Sequence, residues 1–367
     1  MEENPLQKID SYFAGLKDFR VNRTKYYPLP EIIFLAISAV ISGSESWEEV
    51  ADFGADKLSW LRKYYPYTAG TPSHDTLNRV LSKINQEDFN ECFINWVSAI
   101  SELPSGSLIN LDGKTIKGSK DAGKKTVHIV SAWCSEVSMC LGQVKTAEKS
   151  NEITAIPKLL DLLELEGCVI SIDAMGCQKD IATQIKKKKA NYILGLKGNQ
   201  KNLLKSVECS FEQLEPDNED VWVDKDHGRL EIRTCRVIHD LDLIPMAGDW
   251  KDLQSLVQIE CSRELLATGK VEQNTRYYVA SLKTDAKHFN RLVRGHWGIE
   301  NQLHWSLDVL FREDLSRKRQ GEAAENFALI RKIVLNLLNQ EKTKISKNRK
   351  RLKAARSDKY REKILQI

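Results

Sequence analysis

The chain has 367 residues, of which 41% are hydrophobic and 29% charged, enough for two or three ordinary globular domains. Its longest apolar run, Ile32 to Ile41, is broken by Ser38 and falls short of the roughly 18 residues of a membrane span. The opening MEENPLQKIDSYF lacks the basic-then-apolar order of a secretory signal, so a cytoplasmic protein with no membrane partner is expected. Eight cysteines are scattered without one C-x-x-C pair, which excludes zinc-ribbon and thioredoxin-like motifs and leaves free, mostly buried thiols. The net charge of +4 is uneven: from Glu341 onward eleven Lys/Arg face three Asp/Glu, a net +8 that leaves −4 for the rest. Such a tail either attracts polyanions or is a solvated basic end, and charge alone does not separate the two.

The first 105 residues read as helical, because IDSYFAGL, EIIFLAISAVISG, SWEEVADFGADKLSWL and DTLNRVLSKI repeat apolar residues every three and four. Ser46 and Ser73 stand where helix caps belong. The last two segments also fit a helix-turn-helix-like pair presenting His74, Arg79 and Lys83, although plain helical hairpins are commoner. From Ser107 the period changes. SLINLDG reads as a strand ending at a turn, TVHIVSAWCS and MCLGQVKT as two strands joined by Ser135–Ser138, and EITAIPKLLDLLEL as an amphipathic helix. CVISID is a short buried strand, QKDIATQIKKKK a helix and NYILGLKG another strand. The order β-β-β-α-β-α-β predicts an α/β domain on a mixed sheet, an antiparallel meander followed by two strands reached through helical crossovers. Residues 216–282 are β-rich, and the chain is helical from Asp285 to the end.

Three segments carry candidate chemistry. In LINLDGKTIKGS an apolar strand delivers Asp112, followed by Gly113, Lys114 and Lys117; a ligand site and a plain Asp-Gly turn both fit. In VISIDAMGCQKD a second strand delivers Asp173, and two carboxylates on strands of one sheet repel unless a divalent cation lies between them. In RLVRGHWGIENQLHWSLDVLFRED, His296, Glu300, His304 and Asp308 fall at steps of four, one polar stripe on a helix. The stripe is either a solvated edge or a catalytic one. His296 and His304 lie two turns apart, too far to share a zinc ion.

Together, DGKTIKGS, ISIDAMGCQ, ILGLKGNQ and RGHWGIENQLHWSLDVLFRED resemble, in order, the signature segments of DDE transposases of bacterial insertion sequences, in particular the H-repeat-associated group. The resemblance implies a ribonuclease-H-like α/β core with a β-rich insertion at about 216–282, an all-α N-terminal domain (1–105) that binds DNA ends, a catalytic domain (106–318) and a helical basic tail (319–367). It places the catalytic, metal-holding acids at Asp112, Asp173 and Glu300, which are 61 and 127 residues apart. Asp308 and Asp314 are rivals for the third place, ranked below Glu300 because the HWGIE segment carries the match.

The implied activity is cleavage and strand transfer at insertion-sequence ends with two Mg²⁺ ions, or Mn²⁺ as a substitute, and no covalent protein–DNA intermediate. The implied partners are double-stranded DNA, as terminal inverted repeats and target, and a second copy of the chain on paired ends. The implied place is the bacterial cytoplasm, at the nucleoid when on DNA. Many members of the wider family carry Tyr, Arg and Lys around the Glu, where this chain has His296, Val293 and Leu307; Arg294, His296 and His304 are the substitutes on offer for holding DNA. Lys114, Lys117, Lys197 and Lys201 lie near strand ends and either contact phosphates or are solvated. The alternatives are a non-catalytic DNA-binding protein, an inactive transposase remnant, or a nuclease that cuts without joining.

Overall fold

The computed structural model describes residues 11–21, 23, 25–121, 125–147, 152–226 and 228–367; the MEENPLQKID opening, with the first residues of the IDSYFAGL helix, lies outside them. The N-terminal region forms α1 (Leu29–Ile41), α2 (Trp47–Asp56), α3 (His74–Leu81) and α4 (Gln86–Ile100), with a single turn at Leu58–Leu61. The expected caps are in place. Ser46 Oγ accepts from Glu49 N–H at 3.1 Å while the Glu49 carboxylate accepts from Ser46 N–H at 3.2 Å, and Ser73 Oγ accepts from Thr76 N–H. Helices α2 and α3 pack together, leaving His74, Arg79 and Lys83 exposed.

The next elements are β1 (Leu108–Ile116), β2 (Val127–Cys134), β3 (Met139–Lys145), α5 (Glu152–Leu162), β4 (Val169–Ile172), α6 (Lys179–Lys187) and β5 (Asn191–Leu196). This is the order read from the sequence. Strands β1–β2 and β2–β3 pair antiparallel, whereas β1–β4 and β4–β5 pair parallel through the α5 and α6 crossovers. Then follow α7 (Lys201–Gln213), which the sequence reading left unassigned, and β6 (Asn218–Asp226), β7 (Arg229–Ile238), β8 (Ser255–Leu265) and β9 (Lys270–Ala280). These last four strands continue the same sheet, because β9 pairs with β5, giving nine strands in the order β3-β2-β1-β4-β5-β9-β8-β7-β6.

Helix α8 (Ala286–His296) carries Phe289, Leu292 and Val293 at helical spacing and lays them over the seam. Beneath it lie Leu108, Val169 and Ile193 of the first sheet half and Cys235, Val257 and Ala280 of the second. The chain continues as π-helical segments at Ile299–His304 and Ser306–Leu310, then α9 (Ala323–Gln340), α10 (Lys347–Arg356) and α11 (Asp358–Leu365).

Helix α9 is buried on nearly its whole surface, packed against α1, α4 and β3. It also closes the open edge of the sheet: Asn336 Oδ1 accepts from Cys140 N–H at 2.8 Å and its Nδ2 donates to Cys140 O at 2.9 Å, so a side chain stands in for a further strand. The basic end of the chain is not a solvated arm. Arg351 donates to Val40 O and Leu310 O, Lys350 to Leu338 O, and the fully buried Arg361 lies 3.9 Å from the Trp60 ring centroid. Three of the tail's eleven basic residues thus hold the C-terminal helices to the core, while seven remain exposed.

Candidate active site

Leu111 pairs with Ile172 across the parallel β1–β4 ladder, so the next residues, Asp112 and Asp173, stand side by side where β4 ends. Alternation puts both carboxylates on the face that also carries Asn110 and Ser171, the face covered by α8. Here the turn expected at Asp112-Gly113 gives way to strand: β1 runs on to Ile116, paired to β2 throughout. Asp112 therefore sits within a strand, its backbone fixed by the ladder, and its Oδ1 accepts from Gly113 N–H at 2.9 Å. Asp173 caps the turn after β4, with Oδ1 accepting from Met175 N–H at 3.0 Å.

Glycines set how closely the other layers approach. A Cβ at Gly298 would lie 2.4 Å from Ser135 Oγ, and one at Gly295 would lie 2.5 Å from Leu108 Cδ2. The two glycines of RGHWGIE thus let the helix lie directly on the sheet. A Cβ at Gly113 would meet the His128–Glu152 pair, whose Nε2 and Oε1 are 2.8 Å apart beside Asp112.

The approach turns the two histidines of the polar stripe toward the sheet, while Glu300 keeps more than half of its side chain exposed. Asn110 Nδ2 donates to Gly295 O at 3.0 Å and Ser171 Oγ donates to Asn110 Oδ1 at 2.6 Å; the Ser171 hydroxyl proton being used, His296 Nδ1–H is the donor to Ser171 Oγ at 2.8 Å. Two turns on, His304 is buried. Its Nδ1 lies 2.9 Å from Glu300 Oε2 and 3.7 Å from Asp112 Oδ2, and its Nε2 is buried without a hydrogen-bond partner. Ligand atoms of Asp112, Glu300 and His304 all fall within 4.8 Å of one another. Asp173, Glu300, His296 and Lys197 line one pocket of about 810 Å³ with Asp112.

The electrostatics differ between the acids. Burial pushes the Asp112 carboxyl up to about 6, opposed by His304 and the Gly113 N–H and reinforced by Glu152 and Asp173. Glu300 is held below the usual carboxylate range, first by the hydrogen bond from His304, against burial. The rival acids are engaged elsewhere. Lys114 Nζ lies 2.7 Å from Asp308 Oδ1, 3.2 Å from Asp314 Oδ1 and 3.5 Å from Glu313 Oε2, and Lys117 Nζ lies 2.7 Å from Asp314 Oδ2. The FRED end of the third motif is thus clamped to the DGKTIKG motif, and a phosphate approaching Lys114 would compete with three carboxylates.

Among the remaining candidates, Lys197 and Lys201 are exposed at the end of β5 and the start of α7. Arg294 is half exposed, 5.1 Å from the Trp222 ring centroid and 3.5 Å from Glu231. Asn110 and Ser171 escaped the sequence reading, although each is the polar residue two before an Asp in an otherwise apolar strand, and period two puts it on the Asp's own face.

Residues 104–337 match the family described as "Transposase DDE domain", and residues 11–97 match its associated family, "DDE_Tnp_1-associated". The chain is 40% identical over 371 residues to the H repeat-associated putative transposase YhhI of Escherichia coli K12, covering 98% of both chains. The chain belongs to the DDE transposases of the H-repeat group. It is also 42% identical over 370 residues to the putative transposase YncI of Escherichia coli O157:H7, covering 98% of this chain and 95% of that one. A solved structure, a piggyBac transposase synaptic complex with hairpin DNA, superposes at a TM-score of 0.46 and 12% identity over 98% of this chain and 80% of its own. Among the described residues of this DDE transposase, no helix is long and apolar enough to cross a membrane.

Proposed function

We propose that this transposase cleaves DNA at the ends of its element and joins the freed ends to a target, using divalent ions held by Asp112, Asp173 and Glu300. The carrying observation is the placement of Asp112 and Asp173 at the ends of adjacent parallel strands, with Glu300 brought to Asp112 by the π-helical turn and lining the same pocket as Asp173. The strand order β3-β2-β1-β4-β5, with its first three strands antiparallel and the rest parallel, supports a ribonuclease-H-like core carrying β6–β9 as an insertion. The residues present fit a hard cation: two of the three clustered donors are carboxylate oxygens, and a cation would add to His304 in favouring the ionised form of the largely buried Asp112. Magnesium, or manganese in its place, would supply activation of a water or a DNA 3′-hydroxyl and stabilisation of the leaving oxygen.

The chain's own groups supply the rest. His304 orients Glu300 toward Asp112 through its Nδ1–H, and the Asn110–Ser171–His296 chain fixes the helix over the two strands. Lys197, Lys201 and Arg294 are assigned to the DNA backbone, whereas Lys114, Lys117, His296 and His304 act chiefly by holding the site together. The helical residues 1–105 are assigned to end binding, 106–318 to catalysis and 319–367 to the closing helices, with two copies of the chain acting on paired ends in the cytoplasm.

The test uses a labelled duplex bearing the inverted repeats that flank the gene. With Mg²⁺ the wild-type protein is expected to cut at the element boundary and to join the 3′ end to a second DNA. Asp112→Asn, Asp173→Asn and Glu300→Gln are each expected to abolish cutting while DNA binding and folding persist. Binding by the wild type without metal-dependent cutting would leave a DNA-binding protein or an inactive remnant; cutting without joining would leave a nuclease.

A further inference from the structure

The α8-facing side of the sheet extension changes character along its length. Near β5 it is apolar, with Cys235, Val237, Val257 and Ile259 under α8. Farther out, by the same alternation, it presents Glu231 and Arg233 of β7, Arg263 of β8 and Arg276 of β9, while Arg294 reaches in from α8. Together with Arg229 they line a cleft of about 970 Å³ between the extension and the helix.

Arginine outnumbers its partners there. The Glu231 carboxylate serves three guanidinium groups, at 3.1 Å from Arg233, 2.9 Å from Arg263 and 3.5 Å from Arg294. Arg233 is only 6% exposed, yet its Nε and Nη1 have no hydrogen-bond partner. A buried guanidinium with two idle donors is costly unless something that enters the cleft takes them up. Indole rings hold two others in place: Arg294 lies over Trp222 and Arg276 over Trp297, at 5.1 and 5.4 Å. Guanidinium groups so fixed match phosphate oxygens, which accept paired N–H donors.

The cleft runs into the carboxylate pocket, since Asn274, Arg276, Tyr278 and Trp297 line both. We infer that the arginine cleft of the sheet extension is a phosphate-binding track that grips the sugar–phosphate backbone of the DNA strand as it leaves the carboxylate pocket. The inference rests on the transposase reading for the identity of the anion, and gives the β6–β9 extension a task of its own, which is to hold the strand on one side of the cut.

The test is binding without catalysis: anisotropy of a short fluorescein-labelled DNA duplex titrated with full-length protein in EDTA, over a series of salt concentrations. Arg229→Ala/Arg276→Ala, both at exposed positions, is expected to weaken binding at least about tenfold and to flatten the slope of log K against log salt by about 1–2. Lys158→Ala/Lys187→Ala, which removes the same charge from exposed sites on α5 and α6, is expected to change both far less. Arg233→Met should act like the arginine pair, and the pair decides if Arg233→Met does not fold. Duplex should also slow alkylation of Cys261, which lines the cleft, and leave Cys92 on α4 unchanged. Equal binding by the arginine and lysine pairs, or no protection of Cys261, overturns the inference. Cleavage is scored separately: a protein that cuts with Mg²⁺ yet shows no cleft dependence defeats the inference alone, one that binds through the cleft but never cuts defeats the catalytic reading alone, and no DNA binding at all defeats both.

Discussion

His304 Nδ1 lies 2.9 Å from Glu300 Oε2, a pair formed within one π-helical turn, and His304 is the buried partner. A carboxylate that is more than half exposed thus takes its direction from a buried imidazole. If Glu300 holds a cation as proposed, histidine at this position orients that ligand, and its loss should resemble loss of an outer-shell partner. His304→Leu is expected to lower Mg²⁺-dependent cutting roughly 10–100-fold. Because Asn places an N–H near the position of Nδ1–H, His304→Asn is expected to recover most of that loss, with DNA affinity unchanged in both. Equal damage in the two variants would mean that imidazole packing, not the hydrogen bond, is what matters.

The close approach at Gly298 gives a second expectation. Replacing glycine by alanine within a helix ordinarily stabilises by up to about 1 kcal/mol. Here the added methyl would lie 2.4 Å from Ser135 Oγ, so Gly298→Ala is expected instead to destabilise by about 1–3 kcal/mol and to depress cutting. Ser135→Ala removes the clashing oxygen, leaving Cβ at 3.7 Å, and the double variant should regain the stability lost in the single one. Urea unfolding of the three proteins measures this. A double variant no better than Gly298→Ala would move the constraint elsewhere.

Local signals in the sequence carried far in this chain, and long-range pairing did not. Ser46 and Ser73 announce their helices because capping is settled within four residues, and the alternation in LINLD and VISID announces strands for the same reason. Which strand pairs with which is decided by packing. Nothing local in TRYYVASL says that β9 joins β5, so the extension reads as β-rich without revealing that it prolongs the core sheet. The charges misled in the same way. Arg351 and Arg361 look like a basic tail until Val40 O and the Trp60 ring, some three hundred residues earlier, come to meet them. The stripe of His296, Glu300 and His304 was visible, yet the inward turn of its histidines depends on two glycines whose neighbours Leu108 and Ser135 are distant in sequence.

The clamp between motifs makes a third expectation. Lys114 is largely buried among Asp308, Glu313 and Asp314, and Glu313 is almost wholly so. Lys114→Met removes the cation and leaves the acids facing one another, a loss of about 3–5 kcal/mol on the usual scale for breaking a buried pair. Against burial, Lys117 and Lys114 hold the Asp314 carboxyl below the usual carboxylate range, so the stability it gains from the lysine is present above about 3.8 and is lost as pH falls further; the deficit should shrink over that acid range. Lys114→Arg keeps the charge and should cost less. A deficit that stays constant with pH would assign the effect to lost packing alone.

Asp112 gives the last. Its carboxyl is raised to about 6 in the folded protein, chiefly by burial, from an ordinary 3.8. A raised carboxyl favours the fold when protonated: the contribution is fully present below about 3.8 and is lost as pH rises through about 6. Without a divalent ion, then, Asp112 weakens the protein at pH 8. Asp112→Asn is expected to be more stable than the wild type there by about 1–2 kcal/mol, a full 2-unit shift being discounted for the quarter of the side chain that remains exposed. The advantage should vanish near pH 4, where the wild-type acid is neutral as well. Mg²⁺ should reverse the order at pH 8, since a cation stabilises the ionised wild type and gains little from the amide. Thermal melts of both proteins at the two pH values, with and without Mg²⁺, make the comparison. An Asn variant no more stable than the wild type at pH 8 without the ion would show that Asp112 carries no unpaired negative charge, and with it would go the reason for a cation at this carboxylate.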